Sequence, residues 1–471
     1  MKKETDNKNF LIVIFLIFFL ALFLRTYLLE IKPIHQDEAI LKFYYINPLL
    51  KGETLNYLGT EYHGLFYHFL SFPFIKIFGD SLFSLRFSAA LFGALTIFLL
   101  YFLRDELGRI GVIITALFLA VSPTLVYYSR QYLGYPFFIF FLLLFIILCV
   151  KFIKHNKPAL FYSIAVAAAI LLNINEAFII FIFISVLFFF FYYLITGKSQ
   201  IILKKLKSIK IKHFIIAIFA FMIVFIAIQT VFLTNISNIS GLIDAFSNFS
   251  SKVVSTGQNK PILYYFSILI PIEIGLFVMF LLSLFFHRKN IFSVFVIFWT
   301  ILNLLVFSMI SYKTNWVLTI FIFPLILSAG IAGDCLIKKS RIYSILIAFL
   351  VIVTLIFSIQ QNFIYANNFD KNKLGYVETS KDINRIAYEI KEYSGNGRIL
   401  ITVEAYWPLP FYLRDYSLMY IRIDKINFTE YKDYDIFIIE KSKVPENISE
   451  FTIDEFEMRQ NYNLNVLFRN K

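Results

Sequence analysis

The stretch Phe10–Glu38, FLIVIFLIFFLALFLRTYLLEIKPIHQDE, holds Arg25 as its one charge as far as Leu29, then turns into Glu30, Lys32, Pro33 and the polar run His35-Gln36-Asp37-Glu38. An apolar run of about twenty residues rises about 30 Å as a helix, the thickness of a bilayer's hydrocarbon core. Lys2, Lys3 and Lys8 precede it and no small-residue cleavage site follows, so it reads as an uncleaved first membrane helix and not as a signal peptide. Composition carries that reading along the chain: 59% of the 471 residues are hydrophobic and 16% charged, more apolar surface than soluble cores of this length hide. With the bilayer as solvent, the 59 Phe and 29 Tyr read first as lipid contacts and interfacial collars.

Spanning-length apolar segments lie near 10–30, 84–103, 109–122, 133–150, 159–173, 177–196, 213–234, 261–286, 291–310, 316–336 and 342–360, some of them short. One set of alternate connections carries the basic residues: Lys2, Lys3 and Lys8; Arg104 and Arg109; Lys151, Lys154 and Lys157; Lys198 through Lys212; Arg288 and Lys289; Lys338, Lys339 and Arg341. The other set, headed by the long loop 31–83, is sparser for its length. By the positive-inside rule the N-terminus is cytoplasmic and residues from about 362 onward lie outside, in a multi-pass protein of the cell membrane. The Asn-x-Ser/Thr sequons at Asn235, Asn238, Asn248, Asn427 and Asn447 all fall in segments assigned outside, which agrees.

The expected fold class is an all-α polytopic membrane protein of about eleven transmembrane helices with a small C-terminal α/β extracytoplasmic domain. Residues 1–361 form the membrane domain and 362–471 the external one, where Thr379 or Ser380 caps a helix to about Tyr393 and 398–403, 435–439 and 464–468 read as strands. The net charge of +13 is dispersed between apolar runs, which suits anionic lipid and topology and not nucleic acid. Cys149 and Cys335 sit in or beside membrane helices, so neither a disulfide framework nor a thiolate metal site is expected. No phosphate loop, Gly-x-Ser-x-Gly elbow or His-Glu-x-x-His helix occurs.

Loop 31–83 carries most of the chemistry. Asp37 and Glu38 are adjacent carboxylates at the membrane surface, where partial desolvation makes a stronger base; solvated surface acids are the plainer alternative. Glu61, Tyr62, His63, Tyr67 and His68 form a second group, and His35, Asp37, Glu38 and His63 are of the type that ligates a divalent cation such as magnesium or manganese. Arg130, after Tyr127-Tyr128-Ser129, and Lys313, between Tyr312 and Trp316, read as interfacial anchors or as anion partners. Glu176 reads as a functional acid or, with Asn175, as a helix start; Trp407, Arg414 and Asp415 face a site or build a structural corner.

The acidic pair, Tyr62-His63-Gly64 to Tyr67-His68, and Phe78-Gly79-Asp80-Ser81 through Leu85-Arg86-Phe87-Ser88 to Gly93 resemble the C-type membrane glycosyltransferases of the protein O-mannosyltransferase and aminoarabinose transferase group, over residues 20–140. Ser311-Tyr312-Lys313-Thr314-Asn315-Trp316 and Tyr406-Trp407-Pro408 to Tyr416 are similar to motifs of an archaeal flippase-activity-associated branch. Asn175, where that branch often has lysine, and Leu65, where it tends to have proline, depart from it.

The resemblance implies transfer of a sugar from a polyprenyl (dolichyl) phosphate donor to a lipid, glycan or protein acceptor at the outer membrane face. It makes Asp37 the catalytic carboxylate, with Glu38 supporting it or contacting a metal, and Arg130 and Lys313 the partners of the donor phosphate. His35, Tyr62, His63, Tyr67, Glu176, Trp316 and Trp407 become candidates for holding acceptor or substrate. A non-enzymatic protein assisting lipid-linked oligosaccharide translocation or assembly is the alternative. A secondary transporter would favour inverted repeats and broken helices at mid-membrane, and the sequence displays neither.

Overall fold

The computed structural model describes residues 2–57, 64–196, 209–241, 244, 247, 260–394, 397–422, 428, 430–444 and 449–470. Eight of the described helices are long and apolar enough to cross a membrane, ten if each of two bent pairs counts as one span. They include α1 (Lys2–Thr26), which precedes the short α2 (Gln36–Leu41) and α3 (Phe66–Phe78). Next come α4 (Leu82–Leu100), the bent pair α5 (Arg109–Val121) and α6 (Pro123–Ser129), and α7 (Tyr135–His155). The chain continues with α8 (Pro158–Leu172), α9 (Ala177–Thr196), α10 (Ile211–Gln229) and the second bent pair, α11 (Tyr264–Ile272) and α12 (Ile274–Phe285). The remaining spans are α13 (Ile291–Met309), α14 (Leu318–Lys339) and α15 (Tyr343–Ile359). Each of the eleven expected segments corresponds to a helix or a bent pair, but the one near 159–173 is α8, whose 15 residues rise only about 22 Å.

The two breaks correct the expectation that no span is broken. Between α5 and α6 the chain bends by 57°, because a residue before proline is pushed out of the helical region and Ser122 takes φ −52°, ψ 120° ahead of Pro123. Between α11 and α12 it turns by 101° at Glu273, just after Pro271, which has no N–H to continue the ladder. The second sits inside the expected run 261–286, whose one charge is Glu273, and the first falls at the end of the expected run 109–122.

At the centre α14 packs against α5, α12 and α13 and is buried over 89% of its apolar window, whereas the window of α10 is 11% buried and leaves its side chains for lipid. The closest approach in this core is made by glycines: a Cβ at Gly330 would overlap the Thr115 hydroxyl and stand 2.6 Å from the Gly111 carbonyl. Small residues at such crossings let membrane helices meet backbone to backbone, where dispersion contacts and not hydrophobic exclusion provide the attraction. Asn235 and Asn238, the described members of the sequon set, both donate to the Leu55 carbonyl at 3.0 Å; Asn238 is buried and also accepts the Tyr57 amide. Their amides thus have a structural use; Asn248, Asn427 and Asn447 lie outside the described residues.

The chain divides into two compact units, residues 1–29 with 49–364 and residues 30–48 with 365–471. The second is built on a five-stranded sheet of order β2-β1-β3-β5-β4, with β1 (Arg398–Ile401), β2 (Ser417–Tyr420), β3 (Ile436–Glu440), β4 (Phe451–Arg459) and β5 (Tyr462–Arg469). β1 runs parallel to β2 and β3, and β5 antiparallel to β3 and β4. Period-two alternation sends Ile399 and Ile401 to one face, where they pack with Ile383, Ile386 and Ile390 of helix α16 (Asp382–Ser394), and Leu400 to the other with Phe437 and Leu467. The helix starts beside Ser380, whose hydroxyl accepts the Asp382 amide at 3.3 Å. The strands expected at 398–403, 435–439 and 464–468 are β1, β3 and β5; sequence reading missed β2 and β4, the two edges, whose mostly polar or exposed residues lack a clean apolar alternation.

Candidate functional site

The acidic turn is folded by its own side chains. His35 stands at the N-cap of α2: its Nδ1 accepts the Asp37 amide at 3.1 Å while Glu38 Oε2 accepts the His35 amide at 2.9 Å, a reciprocal capping box in which histidine replaces the usual hydroxyl. Since Nδ1 accepts and Nε2 lies 2.9 Å from the Tyr376 carbonyl, the ring is the neutral tautomer protonated on Nε2. Thr379 Oγ1 donates to the Ile34 carbonyl at 2.7 Å, tying the residue before the cap to the same unit. His35 is nearly and Glu38 fully buried, while the side chain of Asp37 keeps 20% of its surface exposed, its Oδ2 3.9 Å from His35 Nδ1. The Arg459 guanidinium bonds Gln36 Oε1 and the Ala405 carbonyl, and Asp37 bears on its charge. The two adjacent acids therefore differ in environment: Glu38 builds the turn, and Asp37 is displayed by it.

That division has a measurable consequence. Glu38→Gln keeps an acceptor for the His35 amide and is expected to melt close to wild type, whereas Glu38→Ala leaves that N–H without its partner and is expected to cost about 1–3 kcal/mol. Thermal unfolding of the full-length protein compares them; equal midpoints for the two variants would refute the cap.

Metal binding fits these residues poorly. His35 spends both ring nitrogens on backbone groups and one Glu38 oxygen holds the cap, and among the described residues no three His, Cys, Asp or Glu side chains gather to hold an ion. His63 and Tyr62 lie outside the described residues.

In the membrane unit the cations collect at the C-terminal end of α1. Arg130 Nη1 donates to the carbonyls of Leu24 at 3.1 Å, Arg25 at 3.4 Å and Tyr27 at 2.6 Å, Nη2 donates to Leu28 at 2.6 Å, and the guanidinium lies 4.7 Å from the Phe363 ring. Arg86 Nη1 takes the Leu29 carbonyl at 2.9 Å, and Arg25 reaches across to Leu119 and Ala120 at 2.8 and 3.1 Å. Helix ends leave carbonyls unpaired and a partial negative charge, which guanidinium forks satisfy. Among the described residues no carboxylate pairs with Arg25 or Arg130, and burial, then the neighbouring Arg86 charge, pull the Arg130 pKa down to about 10.

The turn after Arg130 brings in aromatic groups. Tyr132 OH lies 2.6 Å from His68 Nδ1, and the Tyr67 ring is 4.0 Å from the His68 ring and 5.8 Å from Tyr132. His68 is completely buried, which holds its pKa well below the usual imidazole value. A Cβ at Gly134 would meet Tyr67 at 3.2 Å and Ile174 at 3.7 Å, so the segments carrying Arg130, Tyr67 and Glu176 converge there. Gly64 lies so close to the Asn173 backbone that any Cβ would overlap it. Asn175 Oδ1 accepts the Ala177 amide at 2.9 Å at the start of α9, and Glu176, half-buried, lies in the turn just before that helix.

Lys313 is buried between α13 and α14, with Nζ 2.5 Å from the Ile310 carbonyl and 3.3 Å from that of Lys260, and burial lowers its pKa. Trp316 is half-buried in the turn that leads into α14. In the other unit Trp407 is half-buried, its ring 5.5 Å from Phe43 and 5.6 Å from Tyr406. The candidates thus group as His35, Asp37 and Glu38; Arg130 with the Tyr67 and Glu176 segments; Lys313 with Trp316; and Trp407 among aromatics. Sequence reasoning gave no site role to Arg25 or Glu273, took His68 as a member of the second group in the loop, and took Arg86 only as part of a motif. An acid two residues after a proline inside an apolar run was the available signal for Glu273.

Residues 62–226 match the family model of the dolichyl-phosphate-mannose-protein mannosyltransferases. The fold is similar to that of Cupriavidus metallidurans ArnT bound to undecaprenyl phosphate, with a TM-score of 0.65 and 14% identity over 98% of each chain. It is also similar to the Archaeoglobus fulgidus oligosaccharyltransferase tethered with an acceptor peptide, at 0.62 and 12% over 92% of this chain and 69% of that one. The mycobacterial arabinofuranosyltransferase AftD follows at 0.53 and 11%, over 98% and 40%. No curated protein sequence matches the chain. None of these similarities singles out the archaeal branch.

Proposed function

We propose that this chain, a multi-pass membrane protein with the fold of the C-type glycosyltransferases, transfers a sugar from a polyprenyl-phosphate carrier to an acceptor hydroxyl or amide at the outer membrane face. The observation that carries the reading is the division of labour in the first loop: His35 and Glu38 spend themselves on the turn, and the turn displays Asp37.

The chemistry follows from what each group offers. A phosphate leaving group departs without a strong acid, so transfer needs a base at the acceptor and positive charge at the phosphate. Asp37 is the base: it takes the acceptor's proton as its oxygen or nitrogen attacks the anomeric carbon, and carrier phosphate leaves from the opposite face with inversion. Arg130 and Lys313 are the proposed phosphate partners, and their carbonyl contacts set a condition: binding adds to, or exchanges with, bonds already made to Leu28 and Ile310. The positive-inside pattern supports placing the acidic turn and the C-terminal unit outside. A lipid, a glycan or a protein serves as acceptor, and a divalent ion is left as an option to be tested with chelator.

The decisive assay supplies purified protein in liposomes with a radiolabelled polyprenyl-phosphate hexose and a panel of lipid, glycan and peptide acceptors. Labelled product with inverted anomeric configuration is expected. Binding or scrambling of the carrier with no transfer to any acceptor would instead favour the translocation reading.

A further inference from the structure

Glu273 is a carboxyl group buried inside a membrane span, 1% exposed, at the 101° break between α11 and α12. A buried acid is costly in such a place unless its oxygens are used. Among the described residues no basic side chain pairs with it. One oxygen, Oε1, is used twice: it accepts the Ser122 hydroxyl at 2.6 Å and the Thr124 amide at 3.0 Å. Both donors belong to the other break in the membrane unit, at the start of α6. The same peptide group is gripped from its other end, because Asn362 Nδ2 donates to the Pro123 carbonyl at 3.2 Å.

The α6 helix is only seven residues long, about 10 Å, and it ends at Arg130. Its beginning is held by Glu273 and Asn362; its end is held by the Arg130 fork on the α1 carbonyls, against Phe363, the neighbour of Asn362. Nothing in the sequence between Ser122 and Arg130 is flexible enough to absorb a shift at one end, for α6 opens with proline and contains no glycine.

We propose that Glu273 is a positioning residue: by accepting two hydrogen bonds at the Ser122–Thr124 break it fixes the start of α6, and through that helix it sets where Arg130 presents its guanidinium. This rests on the reading of Arg130 as a partner of the carrier phosphate. The role needs an acceptor oxygen and not a negative charge, which separates it from a proton or cation site.

The test uses full-length protein in lipid nanodiscs, as wild type, Glu273→Gln and Glu273→Leu, with two readouts. Hydrogen exchange of the amides of residues 124–130 reports the clasp directly, and steady-state kinetics with a polyprenyl-phosphate hexose reports Arg130. The glutamine variant, which keeps the acceptor oxygen, is expected within about twofold of wild type in both. The leucine variant is expected to exchange about tenfold faster over α6 and to raise the donor KM about tenfold with kcat nearly unchanged, as the loss of a net hydrogen bond predicts. Unchanged exchange in Glu273→Leu, or a Glu273→Gln variant as impaired as the leucine, overturns the proposal. If wild type turns over no polyprenyl-phosphate sugar, the enzymatic reading falls while the exchange data still decide the role of Glu273.

Discussion

Asp37→Asn protein is expected to fold and melt as wild type does and to transfer sugar about a hundred to ten thousand times more slowly, the usual contribution of a positioned general base. The stability half of this expectation comes from the capping box. The hydrogen bonds that shape the turn run through the His35 ring, the Glu38 carboxylate and the backbone amide of Asp37, all of which an asparagine leaves in place. Asparagine is close in size and its side-chain amide lacks basicity, so the proton acceptor is removed together with the negative charge that bears on Arg459. Turnover in proteoliposomes, read beside the thermal midpoint, separates the two effects. Wild-type turnover in Asp37→Asn removes Asp37 from the chemistry, and a large fall in midpoint would make any loss of activity uninterpretable as catalysis.

Gly330→Val is expected to have the largest structural effect of any single change considered, about 3 kcal/mol or more and most of the folded yield. The added Cβ overlaps Thr115 Oγ1 and stands 2.6 Å from the Gly111 carbonyl, and a Cβ at Gly111 would in turn crowd the Gly330 carbonyl at 2.9 Å. Rotating a side chain cannot relieve contact with a backbone carbonyl, so α5 and α14 must separate along the core of the membrane unit. Loss of close contact is not repaid by lipid, which is as apolar as the helices. Detergent-solubilised yield and thermal midpoint measure the outcome. The strain has a partial remedy: Gly330→Ala combined with Thr115→Ala is expected to recover part of what Gly330→Ala alone loses. A valine variant with the wild-type midpoint would show that the crossing is looser than described.

The spans were legible because lipid leaves a simple mark: a run of about twenty apolar residues has one economical use, and each expected run is helical in the structure. Hydropathy does not register direction, and so the turn at Glu273 was hidden inside a run whose average is high, while the bend at Ser122 falls where the expected run 109–122 ends. The sheet was legible where strands are central, as at Ile436–Glu440, and not where they are edges such as Phe451–Arg459, which exposes Thr452, Ile453 and Glu455. In the site, the acidic turn could be seen because its two carboxylates are adjacent and follow directly on the first apolar run. The spacing of His35 and Glu38 is that of a capping box, although histidine in the first position conceals it. Arg130 could be picked out as a charge in the wrong place, but its grip on α1 could not, since those carbonyls lie more than a hundred positions earlier in the chain. Long-range backbone acceptors leave no residue pattern to read.

Residues 30–48 lie early in the sequence yet share a body with the last hundred, and the Tyr376 carbonyl and Thr379 hydroxyl hold His35 and Ile34 in place. A chain ended after Ile364 would retain every membrane helix and still lose the scaffold on which its acidic turn is folded. The terminal sheet therefore cannot be regarded as an appendage to be trimmed or exchanged at will: whatever replaces it must supply a new seat for His35, or inherit a base with no fixed address.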